Sequence, residues 1–403
     1  MRSTLLIVAA GPLQLPAITE ARVAGLRTVA VDANPAAPGI SLADHGVVLD
    51  IHDHAAVIDV AKREAVSGVI TLCTDTPVNT VAAVAQALGL TALTPEAAQC
   101  ATDKRLMRKS FAEHGAPSPR FLEIEDESEA LDAAEEIGYP VALKIARSSG
   151  SRGIYRVDNA NELHRSVEAA RRHQSQGALL VEEWLEGPEV SVEGICFEGQ
   201  VHVIQITDKC VFPGAFPVES GHTQPSRLAA DLQTRIRDCA TAGIRALGLM
   251  DCAFHVEIKA TSRGPMLIEV GARLGGDRIS THLTPLSMGV NLVRAAVELA
   301  VGRKPDVTPR LRRGAAIRYF DAGRSGNLES IAGIDEIETM PGLELLFAES
   351  ERDGALGPGF RIQPIRSSQD RYGHVIFSGE EAQEAADRAE RAARAMIFRF
   401  ATE

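Results

Sequence analysis

Along the first ninety or so residues, short apolar runs alternate with helical patterns. LLIVAA leads into PAITEARVAG, TVAVDA into the helix AAVIDVAKREA, and GVITL into the helix NTVAAVAQALG. Strands alternating with helices of this length predict a parallel sheet with helices on both faces. The first turn reads Ala10-Gly11-Pro12-Leu13 rather than GxGxxG, so a dinucleotide fingerprint is missing and the unit reads as a scaffold or a substrate wall. Thr94-Pro95 marks a boundary, and a helix over 103–114 follows, capped near Thr102 or Asp103.

From about 118 the pattern changes to a helix near 127–137, the strand VALKIA, a polar glycine loop RSSGSRG, the strand IYRV, a helix near 160–173 and the strand ALLVEEWL. That predicts a small α+β module with a flexible loop inside it. From about 188 an antiparallel run, VSVEGICFEGQVHVIQIT, precedes a helix over 229–247, the strands FHVEIK and MLIEV, and a closing helix over 380–396. The expected units are therefore 1–95, 118–187 and 188–403, with no internal repeat or low-complexity tract.

Composition narrows the classes. A chain of 403 residues with 45% hydrophobic content is long enough for two or three packed units. No apolar run approaches the roughly 20 residues of a membrane span, and the apolar N-terminus reads straight into a strand, a glycine turn and a helix. The six scattered cysteines, Cys73, Cys100, Cys196, Cys210, Cys239 and Cys252, include no CxxC pair and read as free thiols in a reducing cytoplasm. A net charge of −12 without a basic stripe argues against nucleic-acid binding, although a small anionic substrate remains compatible with it.

Candidate chemistry concentrates in four places. Glu257 and Glu269 lie in neighbouring apolar strands joined by a turn around Gly264, and a hairpin would set the two carboxylates side by side. Such a pair repels unless a positive group stands between, which a hard divalent cation supplies, unless one Glu is simply a solvated strand residue. Lys144 sits mid-strand among apolar neighbours and needs an anion; Lys104, just after a helix cap, is a second cation that taken singly reads as a surface lysine. The loop 147–153 is rich in small residues that let backbone N–H groups approach phosphates, or is a plain hairpin loop. Glu182, Glu183 and Trp184 follow the strand ALLV, where a crossing between lobes offers backbone and carboxylates to a base and a ribose; Glu182 and Glu189 read equally as exposed acidic residues.

Two lysines, a glycine loop, an acidic hinge and a carboxylate hairpin, in this order, resemble the ATP-grasp ligases in their biotin-carboxylase-like arrangement. VESGHTQPS, FHVE and IEVGAR resemble most the L-amino acid ligases within that superfamily. The resemblance implies an N-terminal parallel-sheet pre-ATP-grasp domain (α/β), a small lid domain (α+β) and an antiparallel-sheet catalytic domain. Lys104, Lys144 and the lid residues Ser149, Gly150, Ser151 and Gly153 would contact ATP phosphates. Glu182 would face the adenine amine, Glu183, Trp184 and Leu185 the ring edge, and Glu189 the ribose. Glu257 and Glu269 would bind Mg²⁺, with Mn²⁺ as an alternative. Arg273 and Lys209 would act at the transferring phosphoryl group, although Arg273 could instead pair with a nearby carboxylate. The substrates would meet Glu219, His222, Arg273, Gly275 and Arg318, with His222 in a loop.

Gly271 stands where the superfamily usually has an Asn metal ligand. The implied activity is ATP-dependent joining of a carboxylate to an amine through an acyl phosphate, on small-molecule substrates, in a cytoplasmic homodimer with no nucleic-acid or membrane partner. A purine-pathway carboxylase or formate-dependent ligase, which Arg312-Arg313 leaves open, and a non-catalytic nucleotide-binding module are the alternatives.

Overall fold

A computed structural model of the chain describes residues 2–125, 127–147, 153–173, 177–213, 217–350 and 352–401. The predicted lid positions Ser149, Gly150 and Ser151 lie outside the described residues. At the N-terminus, strands β1 (Thr4–Val8), β2 (Arg27–Asp32), β3 (His45–Val48) and β4 (Gly68–Ile70) form an all-parallel sheet in the order β3-β2-β1-β4. Strand β1, TLLIV, is buried along its whole length, as a central parallel strand with helices on both faces must be.

A second sheet joins β5 (Phe121–Ile124), β6 (Val141–Ile145), β7 (Ile154–Val157) and β8 (Leu179–Glu183) in the order β5-β8-β6-β7, all antiparallel. The helices Glu127–Ile137 and Ala160–His173 bury Ala130, Ala134, Leu163 and Val167 with its apolar side chains. Between these sheets runs the helix Lys104–Glu113, whose N-cap is Asp103, its side chain accepting from the Arg105 N–H.

The largest sheet has eight strands. It contains β9 (Glu189–Phe197), β10 (Gln200–Val211), β11 (Glu219–Gln224), β12 (Cys252–Thr261), β13 (Gly264–Gly271) and β14 (Gly314–Tyr319), ordered β13-β12-β9-β10-β11-β14. The strands His374–Gly379 and Leu343–Phe347 complete it beyond β14. C-terminal residues thus extend the same sheet; the closing helix forms as expected over Ala382–Ala395, and the sequence pattern left only the last strand after it, Ile397–Phe400, unpredicted.

Register gives this sheet two unlike faces. Glu189 aligns with Lys259, Ser191 with Glu257 and Thr207, Glu193 with His255 and Gln205, and Lys209 with His222, so these polar side chains share one face. Their neighbours Val190, Val192, Ile206, Phe254, Val256 and Ile258 point the other way, onto Ile236, Ala240 and Ile244 of the helix Ala230–Ala246. That apolar cluster continues without a break into Leu6, Val29 and Val81 of the N-terminal unit. Among the described residues no helix is long and apolar enough to cross a membrane.

Candidate active site

Glu257 on β12 lies directly opposite Glu269 on β13, and the register shifts just after Glu257. A bulge at that point re-aims side chains beside the pair. Both carboxylates are partly open, with side-chain exposures of 23% and 21%. Each also meets a lysine: Lys209 Nζ is 3.1 Å from Glu257 Oε1, and Lys104 Nζ is 3.2 Å from Glu269 Oε1. Lys104 is buried, so the surface reading of that residue is corrected.

Lys209 is the hub of the polar face. Its ammonium reaches Glu189 at 2.6 Å, Glu219 at 3.1 Å and Glu257 at 3.1 Å, and Glu189 also accepts from Lys259 at 2.8 Å. Burial alone would lower the lysine's pKa, but the three carboxylates override it and raise the value well above the ordinary one. The same cation, with His255, holds the Glu257 carboxyl well below its usual range against the effect of burial. Two lysines facing three glutamates leave an acidic excess here, which suits a cation or an ammonium.

Behind Glu257, Glu193 is fully buried and accepts from His255 Nδ1 at 2.5 Å, the Gly275 N–H at 3.1 Å and Ser280 Oγ at 3.1 Å. Burial works against a charged imidazole, yet the Glu193 carboxylate carries the His255 pKa up to about 9. Gly275, expected near substrate, has its N–H committed to Glu193. A Cβ there would stand 2.7 Å from both Glu193 oxygens and from His255 Nδ1, so the close approach requires glycine.

Arg273 forms a bidentate pair with Asp75 of the N-terminal unit, at 2.9 and 3.0 Å. The guanidinium folds over Gly271: a Cβ at that position would lie 3.1 Å from Arg273 Cζ and 3.2 Å from Asp75 Oδ1. The space beside the backbone where an Asn would begin is therefore filled by the ion pair.

The anion that Lys144 needs comes from within the protein, which corrects the argument that burial of this lysine demands a phosphate. Lys144 Nζ is 2.7 Å from Glu182 Oε2, and Arg108 donates to both oxygens of the same carboxylate. Glu182 is 1% exposed, neither an open hinge carboxylate nor one turned toward a base amine in this arrangement. Glu183 pairs with Arg263, the Trp184 N–H donates to Pro140 O at 3.3 Å, and Arg156 lies over the Trp184 ring at 5.1 Å. Leu185 is buried at the same crossing, and Gly153, in the left-handed region, packs against Ile145.

Two substrate-site expectations change. His222 belongs to β11, not to a loop; it is buried, its Nε2 lies 3.1 Å from Asp277 Oδ2, and its Nδ1 has no hydrogen-bond partner among the described residues. Arg318 pairs in register with Gly221 while Ile317 pairs with His222, so Arg318 points to the opposite face. There it donates to His222 O, Thr223 Oγ1 and Glu390 of the closing helix. Arg371, which sequence reasoning missed, lies on the polar face instead. It holds Asp277 bidentately at 2.7 and 3.0 Å and stacks on Tyr319 at 3.7 Å. Asp75, Arg108, Glu193 and Asp277 were also missed; only Arg108 left a signal, sharing a helical stripe with Lys104 and Phe111.

The donor set fits a hard divalent ion. Two facing carboxylates supply oxygen ligands, and among the described residues no group of three or more His, Cys, Asp and Glu side chains forms a metal cluster, so phosphate oxygens and water would complete the shell.

The ATP-grasp domain matches residues 137–282, and the L-amino acid ligase C-terminal domain 2 matches residues 318–401. Protein y4rH of Sinorhizobium fredii, uncharacterised, is 31% identical over 286 residues, 70% of this chain and 58% of that protein. Carnosine synthase 1 of Homo sapiens is 27% identical over 64% of this chain and 34% of its own length. Alanine–anticapsin ligase of Bacillus subtilis is 29% identical over 55% of this chain and 51% of its own length. This chain thus spans between a third and three fifths of these relatives.

Three solved structures share the fold. L-amino acid ligase from Bacillus licheniformis has a TM-score of 0.83 at 23% identity, covering 100% of this chain and 99% of that one. Phosphoribosylglycinamide synthetase from Anaerococcus prevotii has a TM-score of 0.78 at 22% identity, covering 100% of both chains. The biotin carboxylase domain dimer of Hydrogenobacter thermophilus 2-oxoglutarate carboxylase, solved with MgADP, has a TM-score of 0.74 at 19% identity, covering 99% of this chain and 91% of that one. The chain thus carries an ATP-grasp domain over residues 137–282 and a C-terminal domain of the L-amino acid ligase kind over residues 318–401.

Proposed function

We infer that the chain is an ADP-forming ligase that joins the carboxyl group of one amino acid to the amine of a second amino acid or a small amine. The observation that carries this reading is the continuous polar face of the large sheet. Its Glu257, Glu269 and Lys104 end suits a metal and phosphates, and its Glu219, His222, Asp277 and Arg371 end offers charges of both signs to zwitterionic substrates. The C-terminal domain match supports the amino-acid assignment, because Arg371 lies within it.

In this reaction a carboxylate oxygen attacks the γ-phosphorus of ATP and ADP leaves. The amine nitrogen then attacks the acyl carbon of the acyl phosphate, a proton is lost from nitrogen, and phosphate departs. Phosphoryl transfer of this kind is catalysed mainly by positioning and charge neutralisation. Glu257 and Glu269 hold Mg²⁺, which when bound offsets charge on the phosphates. Lys104 and Lys144 face the phosphate chain, Arg273 the transferring group, and Lys209 orients the Glu189, Glu219 and Glu257 carboxylates. Glu183, Trp184 and Leu185 border the base and Glu189 the ribose. His222 and Glu219 receive the ammonium of an amino-acid substrate. The working unit in this reading is a homodimer, to be checked by light scattering.

ADP release measured over a panel of amino-acid pairs, with Glu269→Gln as the inactive control, tests the proposal. Amino-acid-dependent ADP formation is the expected result. Turnover of a phosphoribosyl amine with bicarbonate or formate, and none with amino acids, would replace the reading with that of a purine-pathway ligase.

A further inference from the structure

The proposed reaction gives no task to a fully buried charge on the helix before the second sheet. Arg108, on the helix Lys104–Glu113, is 0% exposed. Its Nε donates to Glu182 Oε1 at 2.8 Å, and its Nη2 donates to Glu182 Oε2 at 3.0 Å and to Ile268 O at 2.7 Å. Its Nη1 is buried with no hydrogen-bond partner among the described residues. Lys144 approaches the same carboxylate from β6, 2.7 Å from Oε2.

Two cations and one carboxylate therefore share one closed space. The adjacent Lys104 and Glu269 pair with each other at 3.2 Å and do not cancel the remainder. An uncompensated buried charge is costly, and the cost is relieved when a ligand of opposite sign enters. If Arg108 were neutral, Glu182 would cancel Lys144 alone. With Arg108 present, the carboxylate is engaged through both oxygens by a planar fork, the geometry in which guanidinium binds carboxylate best. The arrangement also ties three elements together: the helix, β8 through Glu182, and β13 through Ile268 O.

We propose that Arg108 is a positioning residue for nucleotide binding, which claims Glu182 so that Lys144 keeps an uncompensated positive charge for the phosphate chain of a nucleoside triphosphate. This rests on the nucleotide-binding part of the reading above, and not on the identity of the acid or amine. It also reconciles a lysine that has an internal partner with a lysine that serves a phosphate.

Calorimetric titration of MgATP into the full chain, with the thermal midpoint of each variant recorded in parallel, tests it. Arg108→Met binds ATP at least about tenfold more weakly, the size of a lost charge-assisted hydrogen bond. Arg108→Lys, which keeps the charge, stays within about threefold of the wild type. The double variant Arg108→Met with Glu182→Gln removes cation and carboxylate together, leaves Lys144 as the one charge, and recovers to within about threefold. A purely structural Arg108 would lower the thermal midpoint without this pattern in affinity.

A folded Arg108→Met that binds ATP within twofold of the wild type overturns the proposal. So does a double variant about tenfold or more weaker than the wild type, and this second comparison decides the matter if the single variant fails to fold. Wild-type protein that binds no ATP overturns both the proposal and its parent reading. ATP binding without amino-acid-dependent ADP formation overturns the substrate assignment alone.

Discussion

At Gly271 a missing side chain decides where a functional one stands. The Arg273 guanidinium lies over the Gly271 backbone and is clasped by Asp75, so a methyl group at 271 would press on Cζ from 3.1 Å. Burial favours a neutral arginine, yet the Asp75 carboxylate raises the Arg273 pKa and keeps it charged. Preorganised cations are worth most where charge develops, and displacements well under an ångström are costly. Gly271→Ala is therefore expected to lower the rate of ADP formation by about tenfold while leaving ATP affinity within about twofold, since phosphoryl stabilisation and not nucleotide binding is disturbed. Steady-state kinetics paired with calorimetry separates the two, and a variant with unchanged kcat would show that Arg273 does not need its present seat. The sequence showed that Gly271 departs from the superfamily pattern, but not what fills the space, because Asp75 is 196 positions away and only the fold joins them.

The elements that position the site differ in how far local pattern reveals them. The hairpin of β12 and β13 was legible because two apolar strands follow one another across a short turn, which sets Glu257 opposite Glu269. The side to which Arg318 points was not, since it depends on register carried through β10, β11 and β14, and no one strand holds that information. Helix caps lie between these cases. Asp103 was expected as a cap from its place before an amphipathic run, and it caps the helix Lys104–Glu113, but its ion pairs add a pH dependence that the pattern could not show. Burial would raise its pKa; hydrogen bonds from Arg105 and Arg147 outweigh this and hold it down to about 2. A folded-state pKa below the unfolded value means stability present above about pH 4 and lost as pH falls toward 2. Asp103→Asn keeps a capping oxygen and loses the charge, so it should cost about 1 kcal/mol at pH 7 after allowance for solvent screening, with the difference shrinking below about pH 4. Urea unfolding of both proteins at pH 7, 5 and 3.5 reads this out, and a difference that does not change with pH would assign the effect to the cap alone.

On the scale of the whole molecule, the large sheet works as a partition. One face carries the charges that, in the proposed reaction, would meet nucleotide, metal and substrates; the other seals against the helix Ala230–Ala246 and the N-terminal unit along β9 and β12, and against the closing helix Ala382–Ala395 along β14. The C-terminal segment contributes to both sides, since Arg371 pairs with Asp277 at the polar face while Glu390 pairs with Arg318 behind it. A buried arginine on the sealed side acts through stability. Arg318 is 6% exposed and donates to two backbone carbonyls, the Thr223 hydroxyl and Glu390, all of which lose a partner if it is truncated. Leaving several buried acceptors unmet costs about 2–4 kcal/mol in total. Arg318→Ala should therefore lower the thermal midpoint by several degrees and leave the KM for every substrate within about twofold, where a residue touching an amino-acid carboxylate would do the reverse. Arg371→Ala should raise the amino-acid KM more than the KM for ATP, in addition to any loss of stability from its buried ion pair, because its guanidinium lies on the polar face beside His222 and Asp277. Kinetics and thermal unfolding of the two variants side by side test the partition, and a raised amino-acid KM in Arg318→Ala at undiminished stability would refute the placement of that arginine behind the sheet.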